Sequence, residues 1–169
     1  AMLGPSLGVQ GGDRSVVAEA ARGELAVIGE SRLRIERARG VVRMRGCDEG
    51  ILRFASTAVG DEKRELPVTL FSDGVTLFAG SGDAAEPVER DLWVAVPPGF
   101  GVTIEIDGGQ VALSDVQADF SVRGKGVNLI ARRVEGTLEM EIQGGSARVR
   151  DVSGSVELSG AGLEVELLG

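Results

Sequence analysis

From Val102 onward the apolar residues of this chain fall on a ruler of nine. One series runs Val102, Val111, Phe120, Leu129, Leu138, Ala147, Val156 and Val165. A second runs Ile104, Leu113, Val122, Ala131, Met140, Val149, Leu158 and Leu167. The residue between each pair is mostly polar, as at Thr103, Ser121, Glu139, Arg148, Glu157 and Glu166. An apolar-polar-apolar triplet is the signature of a short strand with one buried face. Alternate corners differ, so the full period is eighteen. Gly108, Gly126, Gly144 and Gly162 recur at that interval, as do Val116, Val134 and Val152, while Ala118, Gly136 and Gly154 form a column of small residues. The pattern predicts an all-β, single-domain β-solenoid with two strands in each coil of about 18 residues, equivalent residues of successive coils lying about 4.8 Å apart.

The polar columns fit the same register. One reads Asp115, Arg133, Asp151 and another Glu105, Arg123, Glu141. Alternating charge along a ladder places opposite signs on neighbouring rungs, worth a few tenths of a kcal/mol for each pair, and opposes slippage of one coil. A catalytic carboxylate pair at Asp115 and Asp151 is the competing reading. The two would stand two rungs apart with an Arg between them, which favours the ladder.

Before residue 100 the same grammar is looser. "SRLRIERARG", "VVRMRG", "ILRFAS", "LPVTLFSDG", "VTLFAGSG" and "DLWVAVPPG" are short alternating runs closed by Gly, Ser or Pro. The polar stretches "STAVGDEKRE" and "SGDAAEPVER" read as exposed loops, and Trp93 as a residue in or near the core. Residues 1–30 form an N-terminal segment, in part disordered, in which "DRSVVAEAARG" is a strand or one short helix capped by Asp13. Residues 31–169 read as one continuous solenoid, regular from about residue 100.

The order "LRIERARGVVRMRGCDEGILRF", "GVTLFAG" and "LWVAVPPGFGVTIEIDGGQVALSDV", followed by Gly-punctuated rungs, resembles the adhesin-like DUF4097, or toastrack, family over residues 31–169. Its most specific piece is V-x-V-P-x-G-x-x-V-x-I, here Val94 to Ile104. Family members repeat a "SGD" or "SGS" corner; here only "VSGSVELSGAG" keeps that form. The resemblance implies a bacterial β-solenoid, associated with the cell envelope or cytoplasmic, often attached to membrane segments or to envelope-stress proteins. It carries no catalytic residues.

Composition narrows the function classes. Gly supplies 26 of 169 residues, about twice the usual share of roughly 7%, which fits many tight corners. The net charge of -8 argues against a nucleic-acid footprint. With no His and a single Cys47, the usual catalytic base, the commonest transition-metal ligand and any disulfide framework are missing. No run of 18 apolar residues occurs, so no helix of this chain is expected to enter a membrane. No cofactor or metal is expected. Lys125 in "GKG" precedes Gly126 and a strand, unlike a phosphate loop, and the Asp107, Lys125, Gln143, Ala161 column lacks the repeated Asp of a calcium-binding roll. Cys47 beside Asp48 and Glu49 reads as an unreactive, half-buried thiol.

Two places remain as candidate contact sites. The last rung ends on Leu163, Val165, Leu167 and Leu168 without a capping helix, and a bare edge pairs with other strands; these four form a candidate self-association edge. Arg132, Arg148 and Arg150 make a local basic patch for an acidic partner. The expected function is a non-enzymatic scaffold or protein-interaction module, self-associating through its ends. The alternatives are an envelope-facing module for a glycan or an envelope-stress protein and, third, an enzyme acting on polysaccharide.

Overall fold

Alternating apolar and polar side chains satisfy both the backbone and the core only as strand, and strand is what they form. The computed structural model of the protein describes residues 16–26, 32–47, 50–58, 68–71, 75–78 and 89–168. Eleven strands carry these residues: β1 Val16–Ala20, β2 Arg22–Ala26, β3 Arg32–Gly46, β4 Ile51–Ala58, β5 Val68–Phe71, β6 Val75–Phe78, β7 Arg90–Val96, β8 Phe100–Glu135, β9 Leu138–Ser153, β10 Val156–Ser159 and β11 Leu163–Leu168. All belong to one mixed sheet, and no helix occurs among the described residues. Of the two readings for "DRSVVAEAARG", the strand is the one observed at Val16–Ala20; Asp13 lies outside the described residues.

The sheet runs along two tracks because β3, β8 and β9 turn corners without breaking. The first half of β3 pairs with β6 (Leu33 opposite Val75) and its second half with β7 (Val42 opposite Leu92). On one track the order is β1, β5, β6, β3, two successive segments of β8, then β9 and β10. On the other it is β2, β4, β7, β3, two segments of β8, then β9 and β11. The first two steps of each track are antiparallel and all later ones parallel.

From β8 onward the predicted interval of eighteen holds residue for residue. Phe120 lies opposite Leu138, Leu138 opposite Val156, Leu129 opposite Ala147 and Ala147 opposite Val165. Within β8 the same offset sets Asp115 against Arg133. Side chains on the ruler of nine point inward and are buried on every rung except the last, joined by Val116 and Val134 at a corner. Each fully buried Val, Leu or Phe contributes roughly 1.5–3 kcal/mol.

The corners show a longer period that the ruler conceals. Before the first corner, positions 106, 124, 142 and 160 read Ile, Gly, Ile, Gly; after it, positions 109, 127, 145 and 163 read Gly, Val, Gly, Leu. Ile106, Val127 and Ile142 are buried, so successive rungs fill the corner from opposite sides. A Cβ on Gly124 would overlap the Ile106 carbonyl oxygen, and one on Gly145 the Val127 carbonyl oxygen. Large residue and close approach therefore alternate, and the corner repeats every two rungs.

Two readings of the N-terminal half need correction. Of the stretches taken as exposed loops, the first begins in strand and the second ends in one: Ser56 lies in β4 and Arg90 opens β7, and both are buried. Arg90 Nη1 donates to Ser56 Oγ at 3.1 Å, and burial lowers the Arg90 pKa from its ordinary value. The intervening residues 59–67 and 79–88 lie outside the described residues. Trp93 is not a core residue; it points outward on β7 and is 40% exposed. Cys47 is half-buried, its thiol donating to the Ile51 carbonyl at 3.5 Å.

The corner geometry separates two glycines that look alike in sequence. Gly126 has φ 60 with nothing near its would-be Cβ, so Gly126→Asn, a residue that tolerates left-handed φ, should cost less than about 1 kcal/mol. Gly124→Ala should cost about 3 kcal/mol or more, because backbone must move to admit it. Urea unfolding of the two variants checks the contrast.

Candidate functional site

Among the described residues, burial falls away at the rung of β10 and β11. Val165 and Leu167 continue the inward columns through Ala147 and Val149, yet they are 47% and 59% exposed. Leu163, Val156 and Leu158 are half-buried for the same reason, and Leu168, opposite Arg150, is 47% exposed. β10 and β11 each pair with β9 on one side only, and their other edges meet no strand among the described residues. The outward positions of this rung are acidic, Glu157, Glu164 and Glu166 all being exposed.

On the basic patch, the structure divides what the sequence grouped. Arg132 and Arg150 do stand opposite each other. Arg148, however, pairs with Glu166 at 3.5 Å and Arg150 with Asp151 at 3.8 Å. Arg132 has no ion pair within 4.0 Å among the described residues. It belongs to a different group of side chains, assembled by the placement of β3.

That group lies on the outward face of the second track. Trp93 stands opposite Arg43, Arg43 opposite Ala112, and Arg45 opposite Ser114. One coil further on lie Ile130 and Arg132. Small residues at 112 and 114 thus sit between rungs carrying large ones, and the result is an open depression of about 380 Å³ whose lining includes Arg43, Arg45, Trp93, Ala112, Ser114, Arg132 and the paired Asp115 and Arg133. Acidic neighbours occupy part of it. Arg43 pairs with Asp91 at 3.5 Å, and Arg133 takes Asp115, its Nη2 reaching Oδ2 at 2.9 Å and its Nε also donating to that carboxylate. Arg45 and Arg132 remain without an ion pair among the described residues.

Trp93, Arg43 and Arg45 were not candidates in the sequence. The ruler of eighteen relates only residues that follow one another along the chain, and β3 is out of chain order, so no periodic signal joins 43–45 to 93 and 112–114. An outward tryptophan on an alternating strand was the one available cue: in "DLWVAV" its parity is opposite to Leu92 and Val94.

At the second corner Asp115, Arg133 and Asp151 all adopt left-handed φ, 52, 55 and 56. Asp tolerates that region; Arg does so rarely, and here the two hydrogen bonds from its guanidinium to Asp115 hold it. Asp115 is thus bonded to the next member of its column, whereas Asp151 pairs with its chain neighbour Arg150. Further ladder contacts link Arg123 to Glu141 at 3.9 Å and Ser146 Oγ to Asn128 Oδ1 at 2.9 Å. Among the described residues no group of three or more His, Cys, Asp or Glu side chains is placed to hold a metal ion, and no helix is long and apolar enough to cross a membrane. Comparison with family models, curated proteins and solved structures finds no match.

The Arg133 guanidinium donating into Asp115 lowers its pKa from 3.8 to about 2. A depressed folded-state pKa gives stability that is present above the unfolded value and lost as pH falls through the folded one. The stability difference between the protein and its Asp115→Asn variant, which keeps a residue suited to left-handed φ, should be constant above pH 5 and shrink between about 3.8 and 2. Because the pair is exposed the difference is small, and paired thermal melts across that range measure it.

Proposed function

We propose that the chain is a β-solenoid of the toastrack kind that serves as a non-enzymatic interaction module, self-associating through its C-terminal rung. The observation that carries this reading is the exposure of Val165 and Leu167, side chains that occupy core columns with no described residue stacked on them. An unpaired strand edge over an apolar patch binds by adding a strand: backbone groups supply the hydrogen bonds, and inward side chains supply apolar burial.

Strand direction supports a particular arrangement of copies. Two antiparallel steps on each track return β1 and β2 to the direction of the later rungs, so β1 runs parallel to β10 and β2 parallel to β11. The outer edges of β1 and β2, which meet no strand among the described residues, can therefore follow β10 and β11 of another copy without reversing the ladder, a head-to-tail contact that builds open chains. Two last rungs meeting face to face would instead pair antiparallel, bringing the acidic Glu164 and Glu166 of both copies together, which opposes that arrangement. The non-enzymatic part of the reading is supported by the use of carboxylates in the ladder, where Asp115, Glu141 and Glu166 each answer an arginine.

Light scattering after size exclusion should show mass rising with concentration, and Leu167→Lys should return the protein to a monomer with an unchanged circular-dichroism spectrum. A wild-type monomer at every concentration, or assembly that survives Leu167→Lys, contradicts this function.

A further inference from the structure

The depression between Trp93 and Arg132 lies on the lateral face, away from the last rung, and the ladder does not account for it. It brings an exposed indole and two guanidiniums without ion pairs onto a chain whose net charge is -8. Arg45 and Arg132 flank Ser114 on either side, two rungs apart, so their strands are separated by about 9.6 Å. The floor of Ala112 and Ser114 leaves room above it for a flat ring.

We propose that this depression binds an acidic oligosaccharide, with a sugar ring stacked on Trp93 and carboxylates of the chain taken by Arg45 and Arg132. An aromatic face is the usual partner for the apolar side of a pyranose, and a guanidinium binds a carboxylate in a two-pronged fashion. Linked pyranoses advance by about the height of one rung for each sugar, so uronates on alternate sugars match arginines on alternate rungs. An extended acidic peptide matches less well, because its same-face side chains recur every ~6.6 Å. Nucleic acid is disfavoured because it needs an extended basic face, whereas the arginines here are confined to one hollow. Of the acids at the site, Asp91 is engaged by Arg43, and Asp115, which lines the depression, is bonded by Arg133 and attracts Arg45 only from longer range; neither forms an ion pair with Arg45 or Arg132.

Trp93 is the only tryptophan, so its fluorescence reports the site directly. Titrating the protein with an oligouronate should give a saturable change in emission that weakens as salt is added. The double variant Arg45→Ala/Arg132→Ala should bind at least tenfold more weakly, and Trp93→Ala should lose a comparable factor by calorimetry. Arg123→Ala, on the other track, should bind as the parent does and shows that losing an arginine is not enough. A neutral cello-oligosaccharide should leave emission unchanged. Three results would overturn the proposal: no saturable response to the oligouronate, an affinity indifferent to the double variant, or tighter binding of an oligoglutamate peptide than of the oligouronate. Binding is expected to persist in Leu167→Lys, so failure of this site and failure of self-association are separate outcomes.

Discussion

At each corner the backbone of one rung lies against a carbonyl of the rung beneath it, closer than any Cβ permits. Gly124 meets the Ile106 carbonyl, Gly136 the Ala118 carbonyl, Gly145 the Val127 carbonyl and Gly160 the Ile142 carbonyl. This approach fixes how far each rung is displaced from the last, and the in-register columns follow from it. Inward positions then coincide from rung to rung, which lets a chain poor in aromatics build a continuous core from Val, Leu and Ile. Outward positions coincide as well, which turns single charges into ladders. A rung cannot slip without carrying a side chain into a carbonyl.

The same constraint explains where the molecule is open to partners. Among the described residues stacking is satisfied on both sides for an interior rung and on one side only for that of β10 and β11, so apolar side chains in core columns become surface at Val165 and Leu167. On the lateral face, relief comes from side-chain size: Ala112 and Ser114 between rungs that carry Arg43, Arg45 and Arg132 make a hollow in an otherwise filled ladder. The end of the stack is suited to strand addition, and the hollow to a ligand laid across the rungs. The two contacts therefore differ in physics as well as in place.

Much of the regular half was legible because its signal is local and repeated. Val102 to Leu167 name their own track and rung once the interval is known, and the burial of Val116 and Val134 follows from the same count. The alternation at the corner was also present, as Ile-Gly-Ile-Gly at 106 to 160, but a search for a single period averages it away. The position of β3 was not legible. Residues 32–46 have the alternation of any other coil, and nothing in them says that they pair with residues 75–78 and 90–96 on one side and 101–114 on the other. Trp93 illustrates the cost: taken as a core residue on hydrophobicity, it is placed outward by strand parity. The buried Ser56–Arg90 pair was hidden for a related reason, because polar residues in a polar stretch read as loop even when they face one another across two strands.

The lateral site depends on β3 lying inside the stack, between β7 and β8. In a Cys47→Ser background, cysteines introduced at positions 43 and 112 should sit opposite one another across β3 and β8, at the separation of adjacent strands, within the 4.4–6.8 Å range that a disulfide spans. Oxidation should join them as readily as a reference pair at 130 and 148, which the regular half places opposite each other. If the reference pair closes and the 43–112 pair stays reduced, β3 is not where this account puts it, and the site assembled from Trp93, Arg43, Arg45 and Arg132 does not exist.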